Sequence, residues 1–502
     1  MMQKPVGVRL PVFLDLDMKT TKNKITQEKE NGRIYTPMYI VTTILDLSNY
    51  SGSGILNKHV MDNSCGDGAF LVEIVRRYCS EAIKAGESAR QTACELSKYV
   101  HGIELDPEEC GKCIENVDNI AASFGINGVT WDILCADTLK TDLYNGKMDF
   151  VLGNPPYVRV HNLGDSFHDI KKFSFAQEGM TDLFIVFYEI GLRMLNDTGT
   201  LGYITPSSFF NSIAGKTMRK VFCEENLLEK VIDLKHFQAF NATTYTTIII
   251  LNKNPHTFTT KYFEFDTESK KPFYVESLKN NDFYISGNFY FAKKEKLDLL
   301  KRVFNNHGQC DAQVKNGYAT LCDSVFISDF DFESKYIIPA VKSSKGIYKK
   351  IIYPYDTHAK LIPEDEIKKD SKLYDYLSSH KEDLTRRSNE NEEDQYWYAF
   401  GRSQALLDTY SDKIAINSLI RDKNDLKFVK APSGVGVYSG LYIVSDTIPM
   451  EDIVEVMKND EFVTYVTLLS KYKSGGYYTY SSKDVKAYLD YKFAYDGGAF
   501  LC

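Results

Sequence analysis

The sequence predicts an α/β fold: a class I, Rossmann-like, doubly wound and mostly parallel sheet, followed by a second domain of mixed α+β structure. Three observations carry the prediction. Strand-like and helix-like segments alternate between residues 58 and 251, the pattern of a parallel sheet with crossover helices. Acids and an Asn-Pro-Pro-Tyr run stand just after successive strand segments, where doubly wound folds bind ligands. From about Lys253 the alternation fades and the chain becomes polar and aromatic.

In chain order, residues 1–30 form a polar arm, Lys-rich toward Glu30. Tyr39 to Leu47 has helical apolar spacing and is opened by Thr36-Pro37, a cap followed by the residue favoured in a first turn. Lys58 to Asp62 reads as a strand, Asn63 to Gly68 as a turn and Ala69 to Lys84 as a helix. A strand over Tyr99 to Leu105 ends in acids, and Asp106-Pro107 opens a helix to Phe124. Val129 to Ala136 and Met148 to Leu152 are the next strands, the latter closing on Gly153. A helix (182–195), a strand (200–204), a helix (215–224), a strand (228–233) and the β-branched run Thr246 to Leu251 complete the alternation. One amphipathic helix falls within Phe289 to Asn305, and after Gly308 the pattern is short strands and turns. The expected divisions are 1–30, 31–285 and 286–502.

Composition excludes several classes. Hydrophobic residues make up 43% and charged residues 25% of 502 residues, which is ordinary globular usage and not that of a disordered or disulfide-scaffold chain. The net charge of −8 gives no general basic field, so any nucleic-acid contact has to use a local basic face. Clusters at Lys342/Lys345/Lys349/Lys350, Arg386/Arg387 and Lys423/Lys427/Lys430 are candidates. The one Cys-x-x-Cys, Cys110 to Cys113, lies in a predicted helix and lacks a second pair at zinc spacing, so no metal site is expected. Asp15 and Asp17 break the only apolar stretch near the N-terminus, and no long apolar run follows. The expectation is a cytoplasmic protein with reduced thiols.

The first turn, Asp62-Asn63-Ser64-Cys65-Gly66-Asp67-Gly68-Ala69-Phe70, joins a strand to a helix. Gly66 and Gly68 let the backbone approach a ligand. The turn lacks the glycine spacing of dinucleotide binders and the Gly-Lys-Ser/Thr of phosphate loops, and Asp67 repels phosphate. A cofactor with an amino or cationic group fits better. Glu104, at the second strand end, can accept both hydroxyls of a ribose. Asp106 reads as a helix cap. Asp137, at the third strand end, can accept from an adenine amino group.

Asn154-Pro155-Pro156-Tyr157 follows the fourth strand. Two prolines fix φ and stiffen the turn. The Asn154 side-chain carbonyl and the Pro155 main-chain carbonyl are both acceptors. Such a pair suits an NH2 group on a flat ring: binding both protons draws the nitrogen lone pair out of conjugation and readies it for attack. Tyr157 offers a ring face for the base and a π surface for a sulfonium cation.

These motifs together resemble the S-adenosylmethionine-dependent DNA adenine-N6 methyltransferases of restriction–modification systems, in the gamma arrangement. The order is Gly32-Arg33-Ile34-Tyr35-Thr36-Pro37, the Asp62–Phe70 turn, Glu104, Asp137, then Asn154–Tyr157, continuing through Gly199–Ser208 and Phe240–Leu251. The resemblance implies that Thr36, Asp62 and Ser64 border the cofactor's methionine end, that Gly66 also binds the cofactor, that Glu104 binds its ribose, that Asp137 binds its adenine and that Leu105 packs on that ring. It implies catalysis by Asn154, Pro155 and Tyr157, with Pro156 beside them and Phe240 stacking on the other face of a flipped adenine. Phe237 competes with Phe240 for that role. Gly317-Tyr318-Ala319-Thr320-Leu321, Trp397 to Leu406 (with Arg402 a candidate DNA contact) and Ser474-Gly475-Gly476-Tyr477-Tyr478 resemble target-recognition domains. The family's first turn more often reads Asp-Pro than Asp62-Asn63.

The implied activity is sequence-specific methylation of adenine N6 in duplex DNA. The enzyme is then the modification member of a type II system or an orphan methylase, a monomer on DNA, with any cognate restriction endonuclease encoded separately. Two alternatives remain: an RNA or protein-amide methyltransferase using the same Asn-Pro-Pro-Tyr chemistry, and a non-catalytic DNA-binding subunit.

Overall fold

The computed structural model describes residues 35–158, 167–240, 244–255, 257–386 and 396–494, without the side chains of 167 and 168. The N-terminal arm, Gly32-Arg33-Ile34 and Arg387 lie outside the described residues. The chain divides into two compact units, Met1–Tyr274 and Val275–Cys502.

The main sheet is built on strands β1 (Val60–Asp62), β2 (Val100–Glu104), β3 (Asp132–Cys135), β4 (Met148–Gly153), β5 (Leu195–Pro206), β6 (Leu228–Asp233), β7 (Thr246–Asn252), β8 (Thr260–Asp266) and β9 (Lys271–Leu278), the first eight within the first unit. Their order is β3-β2-β1-β4-β5-β7-β6-β8-β9. β1 pairs in parallel with both β2 and β4, whereas β7 runs antiparallel to both β5 and β6. Strand order proceeds one way from β1 through β2 and β3, and the other way through β4 and β5. That reversal between β1 and β4 is the topological switch point, and it opens a crevice at the strands' carboxyl ends.

Helices α1 (Met38–Leu47), α2 (Ala69–Lys84), α3 (Ala89–Tyr99), α4 (Pro107–Ser123), α5 (Leu183–Met194) and α6 (Lys216–Glu224) accompany the sheet. α2 buries Phe70, Leu71, Ile74, Val75 and Tyr78, one face at helical spacing, each fully buried aliphatic side chain contributing about 1.5–3 kcal/mol. Gly68 precedes it with φ +94°, and a Cβ there would meet the Cys113 Sγ of α4 at 2.9 Å. Cys110 and Cys113 are both buried on α4. Asp106 caps that helix, accepting from the N–H groups of Glu108 and Glu109. α5 is apolar almost all round and lies almost wholly buried, as a helix of that composition must.

Where the alternation fades after Lys253, the chain still supplies β8 and β9 of the sheet. In β8, Thr260, Tyr262 and Phe265 are buried among more exposed neighbours, a spacing that departs from strict alternation and sits in a polar and aromatic context. α3 was not anticipated, although Ser88 caps it by accepting from the Gln91 N–H.

The second unit contains a four-stranded sheet, in the order Gln313–Asn316, Leu441–Val444, Lys413–Ile416, Phe428–Ala431. A three-stranded sheet runs Ile347–Ile352, Ile337–Lys342, Gly436–Tyr438. The expected amphipathic helix is Lys294–Phe304. The mixed α+β character expected of this part of the chain is present: besides the strands, Ser371–Ser379, Met450–Met457, Asp460–Leu468 and Ser482–Phe493 are helices that the short strands and turns read after Gly308 did not include. The last opens with a capping box between Ser481 and Asp484, a signal visible in the sequence.

Candidate active site

β1 ends on Asp62, beside β4 and its last residue, Gly153. The Asp62 side chain is buried, 1% exposed, and its Oδ1 accepts from the Ser64 N–H at 3.1 Å. Burial pushes its carboxyl up to about 8; Glu104 and Asp67 add to the rise and the Ser64 N–H opposes it. A Cβ at Gly153 would stand 2.6 Å from Asp62 Oδ1, so this strand end accommodates only glycine without displacing the acid. A buried acid beside a crevice is favourably ionised by a cationic ligand.

Asn63 is fully buried. The Tyr203 hydroxyl donates to its Oδ1 at 2.9 Å, and the Thr138 hydroxyl donates to its main-chain carbonyl at 2.7 Å. Hydrogen bonds thus hold the turn in place. Neither Tyr203 nor Thr138 stood out in the sequence, because each is distant from Asn63 along the chain.

Glu104 closes β2. Its Oε2 accepts from the Gly66 N–H at 2.8 Å and its Oε1 from the Asp106 N–H at 2.9 Å, which orients the carboxylate and leaves further lone pairs for hydroxyl donors. The Ala136 N–H donates to the Glu104 main-chain carbonyl at 2.9 Å, so Asp137 follows at the adjacent strand end. Asp137 Oδ1 accepts from the Leu139 N–H at 3.0 Å, with Lys140 Nζ 3.5 Å from Oδ2. Leu105 is 69% exposed between these acids.

Asn154 follows Gly153. Its Nδ2 donates to the Thr36 hydroxyl at 3.1 Å, and its main-chain carbonyl accepts from the Ser64 hydroxyl at 3.4 Å. Thr36, Asp62, Ser64, Gly66, Glu104 and Asn154 line one pocket, joined by Tyr35 and Phe70. Leu105, Asp137, Pro155 and Pro156 are not among its lining residues. Sequence reading had not assigned roles to Tyr35 and Phe70; their signal was adjacency to Thr36 and to the glycine turn.

Beyond Asn154, Pro155 is buried and Pro156 half-buried. The Tyr157 hydroxyl donates to the Ile204 carbonyl at 3.0 Å, and burial holds its pKa well above the usual phenol range, so it stays neutral. The Phe240 ring lies 6.1 Å from that of Tyr157 at an interplanar angle of 77°. The rings meet edge to face, so a base enters between them only when one of them turns. Phe237 instead packs on Phe265 at 4.9 Å and on Tyr39 at 6.3 Å.

The pocket's donor set, a buried acid for an ammonium group and a second acid for ribose hydroxyls, fits S-adenosylmethionine. Among the described residues, no cluster of His, Cys, Asp and Glu could hold a metal ion, and no helix is long and apolar enough to cross a membrane.

Comparison with known proteins agrees with the resemblance seen in the motifs. Residues 72–240 match the model of the Eco57I restriction-modification methylase family. The chain is 26% identical over 418 residues to the Type II methyltransferase M.BstVI of Geobacillus stearothermophilus, covering 73% of this chain and 74% of that protein. It is 25% identical over 489 residues to the Type II restriction enzyme and methyltransferase RM.Eco57I of Escherichia coli, covering 78% of this chain but only 48% of that one. Its fold is similar to the Type IIL restriction-modification enzyme MmeI, solved in complex with DNA, with a TM-score of 0.62 at 13% identity, over 92% of this chain and 64% of MmeI.

Proposed function

We propose, for a chain whose residues 72–240 belong to the Eco57I restriction-modification methylase family, that it methylates N6 of adenine in duplex DNA at a specific sequence, using S-adenosylmethionine. One observation carries the reading: Asn154 stands in the wall of the same pocket as Asp62, Ser64 and Glu104. The amide that would grip a substrate amino group therefore adjoins the acids that would hold the cofactor.

The bound cofactor supplies an electrophilic methyl group on a sulfonium. Asp62 pairs with its ammonium group, and Glu104, already oriented by two backbone N–H groups, accepts from the ribose hydroxyls. Asp137 and Leu105 serve the cofactor's adenine. An adenine inside a duplex presents no free path to its amino group, so the target base flips out and stacks on Tyr157, with Phe240 turning to cover its other face. Asn154 and Pro155 each accept a hydrogen bond from the substrate amino group, which localises the nitrogen lone pair and would align it with the methyl group; transfer to N6 would leave S-adenosylhomocysteine and release the surplus amino proton to solvent. Alignment and electrostatic complementarity to the transition state supply the rate.

Purified protein incubated with unmethylated genomic DNA and S-adenosylmethionine, followed by base-resolution modification sequencing, tests this. The expected result is N6-methyladenine confined to one short motif. Methylation of cytosine, or of RNA alone, contradicts the assignment.

A further inference from the structure

We infer that Thr36 is a positioning residue for Asn154, setting which end of the Asn154 amide faces the substrate. The inference rests on the proposed function for its consequence, and on the geometry for the contact itself. Asn154 Nδ2 donates to Thr36 Oγ1 at 3.1 Å, and Thr36 lines the same pocket as Asp62 and Glu104. An asparagine amide carries its acceptor and its donors on opposite sides. With Nδ2 engaged by Thr36, the acceptor Oδ1 is the opposite end of the amide, the end that serves the substrate amino group in the proposed function. Rotated by half a turn, the amide would present N–H to N–H, and the substrate hydrogens would lose an acceptor.

A hydroxyl can donate or accept, so Thr36 fixes the amide only when its own proton is committed elsewhere. The carboxylate of an amino-acid-type cofactor in this pocket is a suitable acceptor for that proton. Cofactor binding then commits Thr36 Oγ1 as an acceptor and Asn154 Oδ1 as the substrate-facing atom. Ser64 adds to the link, since its hydroxyl donates to the Asn154 main-chain carbonyl at 3.4 Å. The two sites thus share hydrogen bonds as well as a wall.

The test compares Thr36→Val, which keeps the shape and removes the hydroxyl, with Thr36→Ser, which restores it. The proposal expects Thr36→Val to lower kcat about tenfold at saturating cofactor, the worth of one hydrogen bond made in the transition state, with Thr36→Ser close to wild type. A rise in the cofactor KM with kcat unchanged would overturn it, because Thr36 would then serve the cofactor alone. A second readout is independent of turnover. In protein labelled with 15N at asparagine, the Asn154 side-chain amide signal, assigned by its loss in Asn154→Asp, should shift on adding S-adenosylhomocysteine. That response should vanish in Thr36→Val and return in Thr36→Ser. An unchanged response in Thr36→Val contradicts the inference. A wild-type protein that shows the response but methylates no adenine overturns the proposed function and leaves the positioning contact standing.

Discussion

Asp62 combines near-complete burial with a carboxyl raised to about 8, and the sign of the resulting pH dependence can be worked out. Below that value the free protein holds Asp62 protonated, whereas pairing with an ammonium group requires the ionised form. Cofactor binding therefore releases a proton near neutral pH, and affinity rises up to about tenfold per pH unit toward 8, then levels off. Calorimetry in buffers of different ionisation enthalpy should record that proton, and Asp62→Asn should abolish the pH dependence while weakening binding. The stacking rings give a second prediction. Phe240→Ala should weaken binding of the flipped base by about 1–3 kcal/mol and leave cofactor affinity nearly unchanged, whereas Phe237→Ala should act on stability through its contacts with Tyr39 and Phe265. Base-binding loss from Phe237→Ala alone would reverse the assignment. The placement of Asp62, Glu104, Asp137 and Asn154 was legible because each stands at the end of a strand segment or within two residues of it. The Tyr203–Asn63 hydrogen bond was not, because it joins residues 140 positions apart, and one sequence carries no signal for such a pairing.

At the scale of elements, β1 and β4 matter most. They lie side by side at the switch point, which places the residue ending β1 against the residue ending β4 and sets Asn154 beside both. The opposite ends of the strands hold a different cluster. His59 Nδ1 lies 2.8 Å from His101 Nε2, and His101 Nδ1 lies 2.6 Å from Asp132 Oδ2. Burial is the main cause lowering both histidines; Asp132 opposes it for His101 and Asp149 for His59, while Lys98 and Lys147 work with burial. A histidine buried neutral contributes stability that is present above its ordinary pKa of 6.5 and lost as pH falls through the lower folded value. Thermal unfolding should therefore show a Tm that falls between pH 7 and 5, with a shallower slope in a His59→Gln/His101→Gln variant. Equal slopes would contradict this account. Most helix and strand segments of the first unit and its sheet were readable from caps and periodicity, with α3, β8 and β9 the exceptions. The second unit was harder to read, because its short helices bury few residues each. Two of its motif segments nonetheless meet: the Gly401 and Arg402 N–H groups donate to the Thr320 and Ala319 carbonyls, each at 3.1 Å, and the Tyr318 and Phe400 rings lie 5.3 Å apart.

For the whole molecule, the reaction class was legible and the target sequence was not. Reaction class follows from a few residue types at strand ends. Base recognition depends on loop geometry and on the deformability of the DNA, neither of which appears in a residue pattern. Under the proposed function the acidic chain holds a polyanion through local basic residues, so DNA binding should weaken steeply with salt. The account's central claim is that Asn154 performs the chemistry on an adenine. The most direct measurement is methyl transfer to genomic DNA by wild type and by Asn154→Ala, with DNA affinity measured alongside. Wild type should deposit N6-methyladenine at one motif, and Asn154→Ala should bind the same DNA with little change yet transfer no methyl group. Full methylation by Asn154→Ala would contradict the account.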